Sequence, residues 1–526
     1  MGIFVGIGNY IGRVRQIGDG GGQPIGPNDY YIITEDEIAV LTERGKHILL
    51  DKYVTEDEIA TWVKEHMVFW YDMSKPVDVY TQNFNDWRNY NPNSVSITNN
   101  KIVVNGLIDN FRIASIGKET ESFSVFIEGL GDKNLVYRVK LDENSDQITN
   151  IKLKDGENVL PHSFATTVAF MGVSGVTDYI GLTITQLPSG QSVPTNEILK
   201  ANPYLQDHSG NNRRLKLNNF LFAAMSGVGG YEYNWLDSAL FITYLSGARG
   251  DGTITDNTIT INNVKVSSGV IETKVSSPSK KYKVRVTGIT SNETLRYVIY
   301  GDTSLGESAT ILFDMKKDGE YELPASTYSA TYNMKWQVIA ASYPHTCNIT
   351  IQQIPSYPNA LVTDGVDDYG VVENFKSLQN YMMFFQCAII RPTALKGMFS
   401  TTSIATSNRG WMLLQGRSAN SVKFGNYVYT DFKFTPSVED KISYVLSANN
   451  ELMTYYVGEE KATLAGTYGQ TGTNMSLFLA DSNNKTRFGS MAFYKSILFD
   501  SVPTKETDGF TEQDLINYVL ENLITK

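Results

Sequence analysis

Two stretches of this chain repeat the same four phrases in the same order, and that repeat constrains the fold more than any other feature. SITNN at Ser96 to Asn100 matches TITDN at Thr253 to Asn257, and FSVFIEG at Phe123 to Gly129 matches YKVRVTG at Tyr282 to Gly288. DGENVLP at Asp155 to Pro161 matches DGEYELP at Asp318 to Pro324, and ITQLPS at Ile184 to Ser189 matches IQQIPS at Ile351 to Ser356. Within each copy, apolar and polar residues alternate over five to eight residues between turn signals. That pattern places one face of each strand in a core. Copies of about 100 residues built this way predict two immunoglobulin-like sandwiches, at 93-190 and 250-357.

The rest of the chain is also mainly strand-forming. With 43 glycines, 31 tyrosines, 24 phenylalanines and 19% charged residues, its 526 residues predict several β domains rather than one core. The net charge of −11 argues against a surface that follows phosphates, so nucleic acid is not an expected partner. No run reaches the roughly 18 apolar residues of a membrane span, and no cleavable export signal is read at the amino terminus. Cys347 and Cys387 stand alone in strand-like contexts, and the five histidines form no ligand pair, so neither disulfides nor a zinc site is expected.

Residues 1-33 read as a glycine-rich arm. Gly6, Gly8 and Gly12 lack the preceding strand and following helix of a nucleotide loop. Apolar residues interspersed with basic ones instead suggest an arm that orders against a partner, with Phe4, Ile7, Tyr10, Ile11, Arg13 and Arg15 as the candidate attachment residues. Residues 34-92 read as a small helical module and an aromatic connector. TEDEI occurs at Thr34 and again at Thr55, and in each copy a threonine three residues before a glutamate predicts a capped helix. Ile59, Trp62, Val63 and Met67 form a stripe on the second. Phe69, Trp70, Tyr71, Tyr80, Phe84, Trp87 and Tyr90 then read as an interdomain seam, or alternatively as a platform for stacking sugars.

The sandwich copies, with closing strands LTITQ and NITIQ, resemble the BACON domains of Bacteroidetes surface proteins and their phages. Around the second copy, the D-x-S-G-N phrase at Asp207, Ser209, Gly210 and Asn211, and the D-G-x-D-D-Y phrase at Asp364, Gly365, Asp367, Asp368 and Tyr369, look like the opening strands of laminin-G or concanavalin-like jelly rolls. The expectation is a jelly roll split into 198-240 and 358-526, with the second sandwich inserted in a loop and a capped helix over Thr511 to Ile524 closing the chain. Such jelly rolls can bind calcium or sugars, so Asp364, Asp367 and Asp368 are weighed as metal ligands. Three acids do not define a calcium site, and the reading assigns no cofactor and no catalytic residue.

As a whole the chain resembles head-fibre or tail-fibre proteins of crAss-like bacteriophages. That resemblance implies a structural protein on the outer surface of a virion, made in the host cytoplasm and assembled with capsid or tail proteins. It further implies a homo-oligomer, dimer or trimer, whose β domains adsorb to polysaccharide. The alternative is a bacterial surface glycan-binding protein or a polysaccharide-degrading enzyme.

Overall fold

The computed structural model describes residues 30–33, 38–41, 47–49 and 55–525, the last range with breaks of which the longest are 275–279, 302–309, 402–411, 416–420, 434–440 and 466–474. The protein is mainly β. It divides into two compact units, one of Met1–Trp62 with Pro503–Tyr518 and one of Val63–Val502 with Val519–Lys526.

In the first unit, the two TEDEI copies part company. The second opens the helix Glu56–His66, where Glu58 N–H donates to Thr55 Oγ1 at 3.3 Å and Thr55 N–H returns a bond to Glu58 at 3.0 Å. The first leads instead into the strand Ile38–Leu41, which lies between Tyr30–Ile33 and His47–Leu49. The helix expected there gives way to a strand at Ile38 and Val40, which favour strands, whereas Ala60, Lys64 and Glu65 after the second copy sustain a helix. Within this unit Trp62 Nε1 donates to Asp508 at 3.0 Å, and its ring meets Phe510 edge-on.

The larger unit holds two sandwiches with one topology. In the first, one five-stranded sheet runs Gly156–Leu160, Phe123–Glu128, Thr183–Gln186, Lys101–Val104, Val95–Thr98; in the second it runs Gly319–Leu323, Tyr282–Thr287, His345–Gln353, Thr258–Val264, Gly250–Ile254. The facing five-stranded sheets also correspond strand for strand, from Thr149–Lys152 to Arg88–Asn89 and from Thr310–Met315 to Phe241–Thr243.

The repeated phrases are the joints of this design. Asp155 accepts the amides of Leu130 and Gly131, and Asp318 accepts that of Ile289, so each DGE aspartate fixes the loop after the matching glycine. Gly129 and Gly288 have φ +77° and +88°, and a Cβ on either would strike the backbone oxygen of Gly181 or Asn348. The glutamine of each closing strand is a latch. Gln186 holds both backbone groups of Gln82 and the amide of Thr81, and Gln353 holds both backbone groups of Tyr233.

Those latches show that each repeat begins earlier than 93 or 250. Asn83 accepts Asn85 N–H and Asn234 accepts Leu236 N–H, and the next aromatic in each copy, Phe84 or Trp235, is fully buried in its sandwich core. The aromatic connector is therefore mostly interior: Phe84 and Trp87 belong to the first sandwich, and Phe69 and Tyr71 to the jelly roll.

The jelly roll consists of two eight-stranded sheets around one core. Leu215–Asn218 pairs with Tyr369–Val372 in one sheet, and Gly227–Val228 joins Leu361–Val362 in the other. Met67–Asp72 pairs with Met491–Phe499, so an early strand also belongs here. The first sandwich is thus as much an insertion as the second. Each stands on a short stem: Val77–Val79 pairs with Gly190–Ser192, and Ser356 and Tyr357 donate to Gly230 and Gly229. Tyr381–Ile389 is buried along its whole length, the mark of a strand covered on both faces.

Candidate functional site

The two phrases that suggested a jelly roll take different roles. In D-x-S-G-N, Asp207 is buried; one carboxylate oxygen accepts the amides of Trp70 and Ser209, and the other that of Arg213. Asn211 donates to the carbonyls of Met67 and Val68. The loop is a clasp that holds Met67–Asp72 to the body, and its acid is consumed in doing so.

In D-G-x-D-D-Y, Asp364, Asp367 and Asp368 bring one oxygen each to within 4.8 Å of the others. Gly365 turns the chain at φ +78°, pressed against Ser490, and Thr363 anchors the turn by donating to Gly489 O at 2.7 Å. Asp368 is fully buried, accepting Asp364 N–H at 2.9 Å and Ser226 Oγ–H at 3.0 Å. Burial, reinforced by Asp364 and Asp367, pushes its carboxyl up to about 7 despite those hydrogen bonds. Asp364 accepts the amides of Val366 and Asp367. Calcium takes six to eight oxygens. Three carboxylates, two of them already bracing backbone amides, do not assemble that set, and the turn fits a buttress better than a cation cage.

What the buttress supports is aromatic. Tyr369 starts the strand Tyr369–Val372 on the face turned away from the core, with Asn218 as its cross-strand partner. Its half-buried ring lies 6.0 Å from Phe488, with Lys485 Nζ 5.5 Å above it, and Asn219 donates to Asp367 O at the rim. Flat rings bordered by amides and a carboxylate offer the chemistry of a sugar contact, since rings stack on C–H faces while planar polar groups meet hydroxyls. Ser226, Lys485 and Phe488 carried no signal in the sequence: they lie far from the phrase and share no spacing with it.

Other aromatics are less available. The ring of Tyr90 is flanked by the guanidinium groups of Arg88 and Arg112, and that of Tyr244 by Arg249. The candidate attachment residues Phe4, Ile7, Tyr10, Ile11, Arg13 and Arg15 lie outside the described residues. Burial raises both cysteine thiols, Cys347 to about 11, which leaves them poor nucleophiles. Among the described residues, no helix is long and apolar enough to cross a membrane.

No family model and no curated protein matches the chain. Solved structures that resemble parts of it include domain 4 of AbnA, an extracellular arabinanase from Geobacillus stearothermophilus, in complex with arabinotriose. It is 12% identical, covers 30% of this chain and 80% of its own, and has a TM-score of 0.21. A putative carbohydrate-binding protein from Bacteroides ovatus is 9% identical over 44% of this chain and 78% of its own, with a TM-score of 0.22. Domains LG4-5 of the mouse laminin α1 chain are 9% identical over 54% of this chain and 97% of their own, with a TM-score of 0.21.

Proposed function

We propose that the protein is a structural, non-catalytic adsorption protein whose jelly roll contacts polysaccharide through the Tyr369–Phe488 rim. One observation carries this reading: the conspicuous acids of the jelly roll, Asp207, Asp364 and Asp368, are spent on backbone amides, while an aromatic pair beside them stays half-exposed. A glycoside hydrolase needs two carboxylates facing each other across a cleft, and these acids face their own turns. Single aromatic contacts with sugars are weak, and multiple copies on one particle would convert them into useful avidity.

The finer reading is a phage fibre, head fibre in preference to tail fibre, on the outer surface of a virion. Residues 1-33 would attach it to capsid or tail proteins, and the chain would assemble as a dimer or trimer. Its support is the resemblance of the sandwiches and jelly roll to domains of such proteins, and a build in which two sandwiches are inserted into a third module.

Biotinylated full-length protein, multimerised on streptavidin and applied to a glycan array, tests the adsorption role. Binding that falls with Tyr369→Ala is the expected result, and silence across the array would leave only the structural role. For the fibre reading, deletion of residues 1-33 should abolish co-purification with particles; a truncated protein present at normal copy number would refute the attachment.

A further inference from the structure

We infer that the cleft between the first sandwich's stem and the helix Asn196–Ala201 is a second sugar subsite, for a neutral or N-acetylated pyranose. The inference rests on the glycan-binding reading above but places the contact elsewhere. The cleft encloses about 180 Å³ and is lined by Asp78, Tyr80, Gln82, Glu197 and Asn202 among others. At ~30 Å³ per water that is room for about six waters, the scale of one sugar ring with its hydroxyls.

Both walls are fixed before any ligand arrives. Asp78 N–H donates to Gln206 Oε1 at 2.9 Å, Val79 O accepts Ser189 N–H at 2.8 Å, and Gln186 grips the backbone of Gln82. Opposite, Thr195 caps the helix by accepting Ile198 N–H, and Asn202 N–H closes its end on Ile198 O. Tyr80 is half-buried, with Asn100 beside its hydroxyl. A site held this way loses little entropy on binding.

The lining chemistry is selective. Most of the cleft's surface is apolar, from Val79, Tyr80, Ile198 and Ala201, which suits the C–H face of a sugar ring; Asp78, Gln82, Glu197 and Asn202 supply the polar part, and Asp78 already accepts Gln191 Nε2–H at 3.1 Å. No lysine or arginine lines the cleft; Arg214 is near enough to act on Tyr80, but uronate and sulfate groups would first meet Asp78 and Glu197.

The second stem provides an internal control. Tyr231 occupies the position of Tyr80, and Asn257 acts on its hydroxyl as Asn100 does on that of Tyr80. Where the first stem has Asp78 and Gln82, however, the second has Gly229 and Tyr233. The tyrosine with its neighbouring asparagine is common to both stems and therefore belongs to the fold; Asp78 and Gln82 are peculiar to the first, while Glu197 is near enough to act on Tyr231 as well.

Saturation-transfer NMR on the full chain tests the subsite, with methyl β-glucoside, methyl α-mannoside, N-acetylglucosamine, xylotriose and glucuronate as probes, in wild type and in a Tyr369→Ala background that removes the rim contact. Transfer to ring C–H protons of a neutral or N-acetylated probe should persist in Tyr369→Ala. It should fall at least tenfold when Tyr80→Ala or Glu197→Ala is added, and stay unchanged with Tyr231→Ala. Glu197 is exposed, so its variant carries the test if Tyr80→Ala perturbs folding. Transfer abolished by Tyr369→Ala alone, or unmoved by Tyr80→Ala and Glu197→Ala, would overturn the subsite and leave the glycan reading standing. Transfer strongest to glucuronate would also overturn it, whereas no transfer to wild type from any probe would overturn both.

Discussion

In the first sandwich Phe126 stands across from Glu157 on the outer face of one sheet; in the second the same two positions hold Arg285 and Glu320, joined at 2.7 Å. On the opposite sheet, Val136 and Lys152 correspond to Arg296 and Asp314, joined at 2.6 Å. The interiors tell the other story. Tyr137 and Tyr297 are both fully buried at one position, as are Val125 and Val284 at another. Core positions shared by two copies of one fold are held by packing density, where a methylene is felt, while outward positions drift at little cost in stability. Phe126 and Val159, 41% and 72% exposed, stand where the second sandwich has Arg285 and Glu322, each in an ion pair.

If the lead-in segments are true equivalents, emptying them should cost the most and cost each sandwich separately. Phe84→Ala and Trp235→Ala should each destabilise by about 3–5 kcal/mol, the range for a large aromatic removed from a core. Hydrogen exchange read by mass spectrometry localises the effect. Exchange should accelerate in 95–186 for the first variant and in 241–353 for the second, and spread into the other sandwich would show that the copies are not independent.

The latches come next. Gln186→Ala and Gln353→Ala each remove a buried side chain that pairs half-buried backbone groups of the lead-in, at about 0.5–1.5 kcal/mol per hydrogen bond lost. The first, which holds an additional amide, should cost slightly more. The DGE aspartates sharpen the comparison at a lower level. Asp155 braces two amides and Asp318 one, so Asp155→Ala should cost about 2 kcal/mol and Asp318→Ala about 1. Equal losses, measured by exchange in Gly129–Asn134 and in 288–293, would show that the second amide adds nothing.

The sequence displayed these joints as matching phrases because a latch or brace needs one residue type at one place. It concealed the lead-ins, since an interior aromatic can be Phe84 in one copy and Trp235 in the other, and the residues in common, Tyr80 and Tyr231, Asn83 and Asn234, Asp86 and Asp237, are too scattered to read as a phrase. Met67–Asp72 was hidden for a different reason. MVFWYD has no period of two, because Phe69 and Tyr71 face the core while Val68 and Asp72 are also buried, so the alternation that reveals a half-exposed strand is missing. The cleft at Tyr80 could not be read at all: its walls lie more than 100 residues apart, and only the pairing of Val77–Val79 with Gly190–Ser192 brings them together.

The smallest effect concerns the surface charges. The hydrogen bond from Arg296 holds the carboxyl of Asp314 below its ordinary value, ahead of the opposing effect of burial. A depressed pKa in the folded state means that the stabilisation is complete above the unfolded value near 3.9 and is lost as pH falls through the folded one. Both side chains are about 30% exposed, so solvent screening keeps the pair at or below ~1 kcal/mol at pH 7. The expected signature is therefore a slope rather than a magnitude. Below pH 4 the opening free energy of Glu293–Gly301 should fall faster than that of Leu135–Val139, where Val136 and Lys152 offer no such carboxylate. Arg296→Ala should remove the difference, and Val136→Arg with Lys152→Asp should confer it on the first sandwich. Parallel acid slopes in wild type would mean that the ion pair contributes nothing, and that the different outer faces of the two sandwiches answer to what each surface meets rather than to how each sandwich is held together.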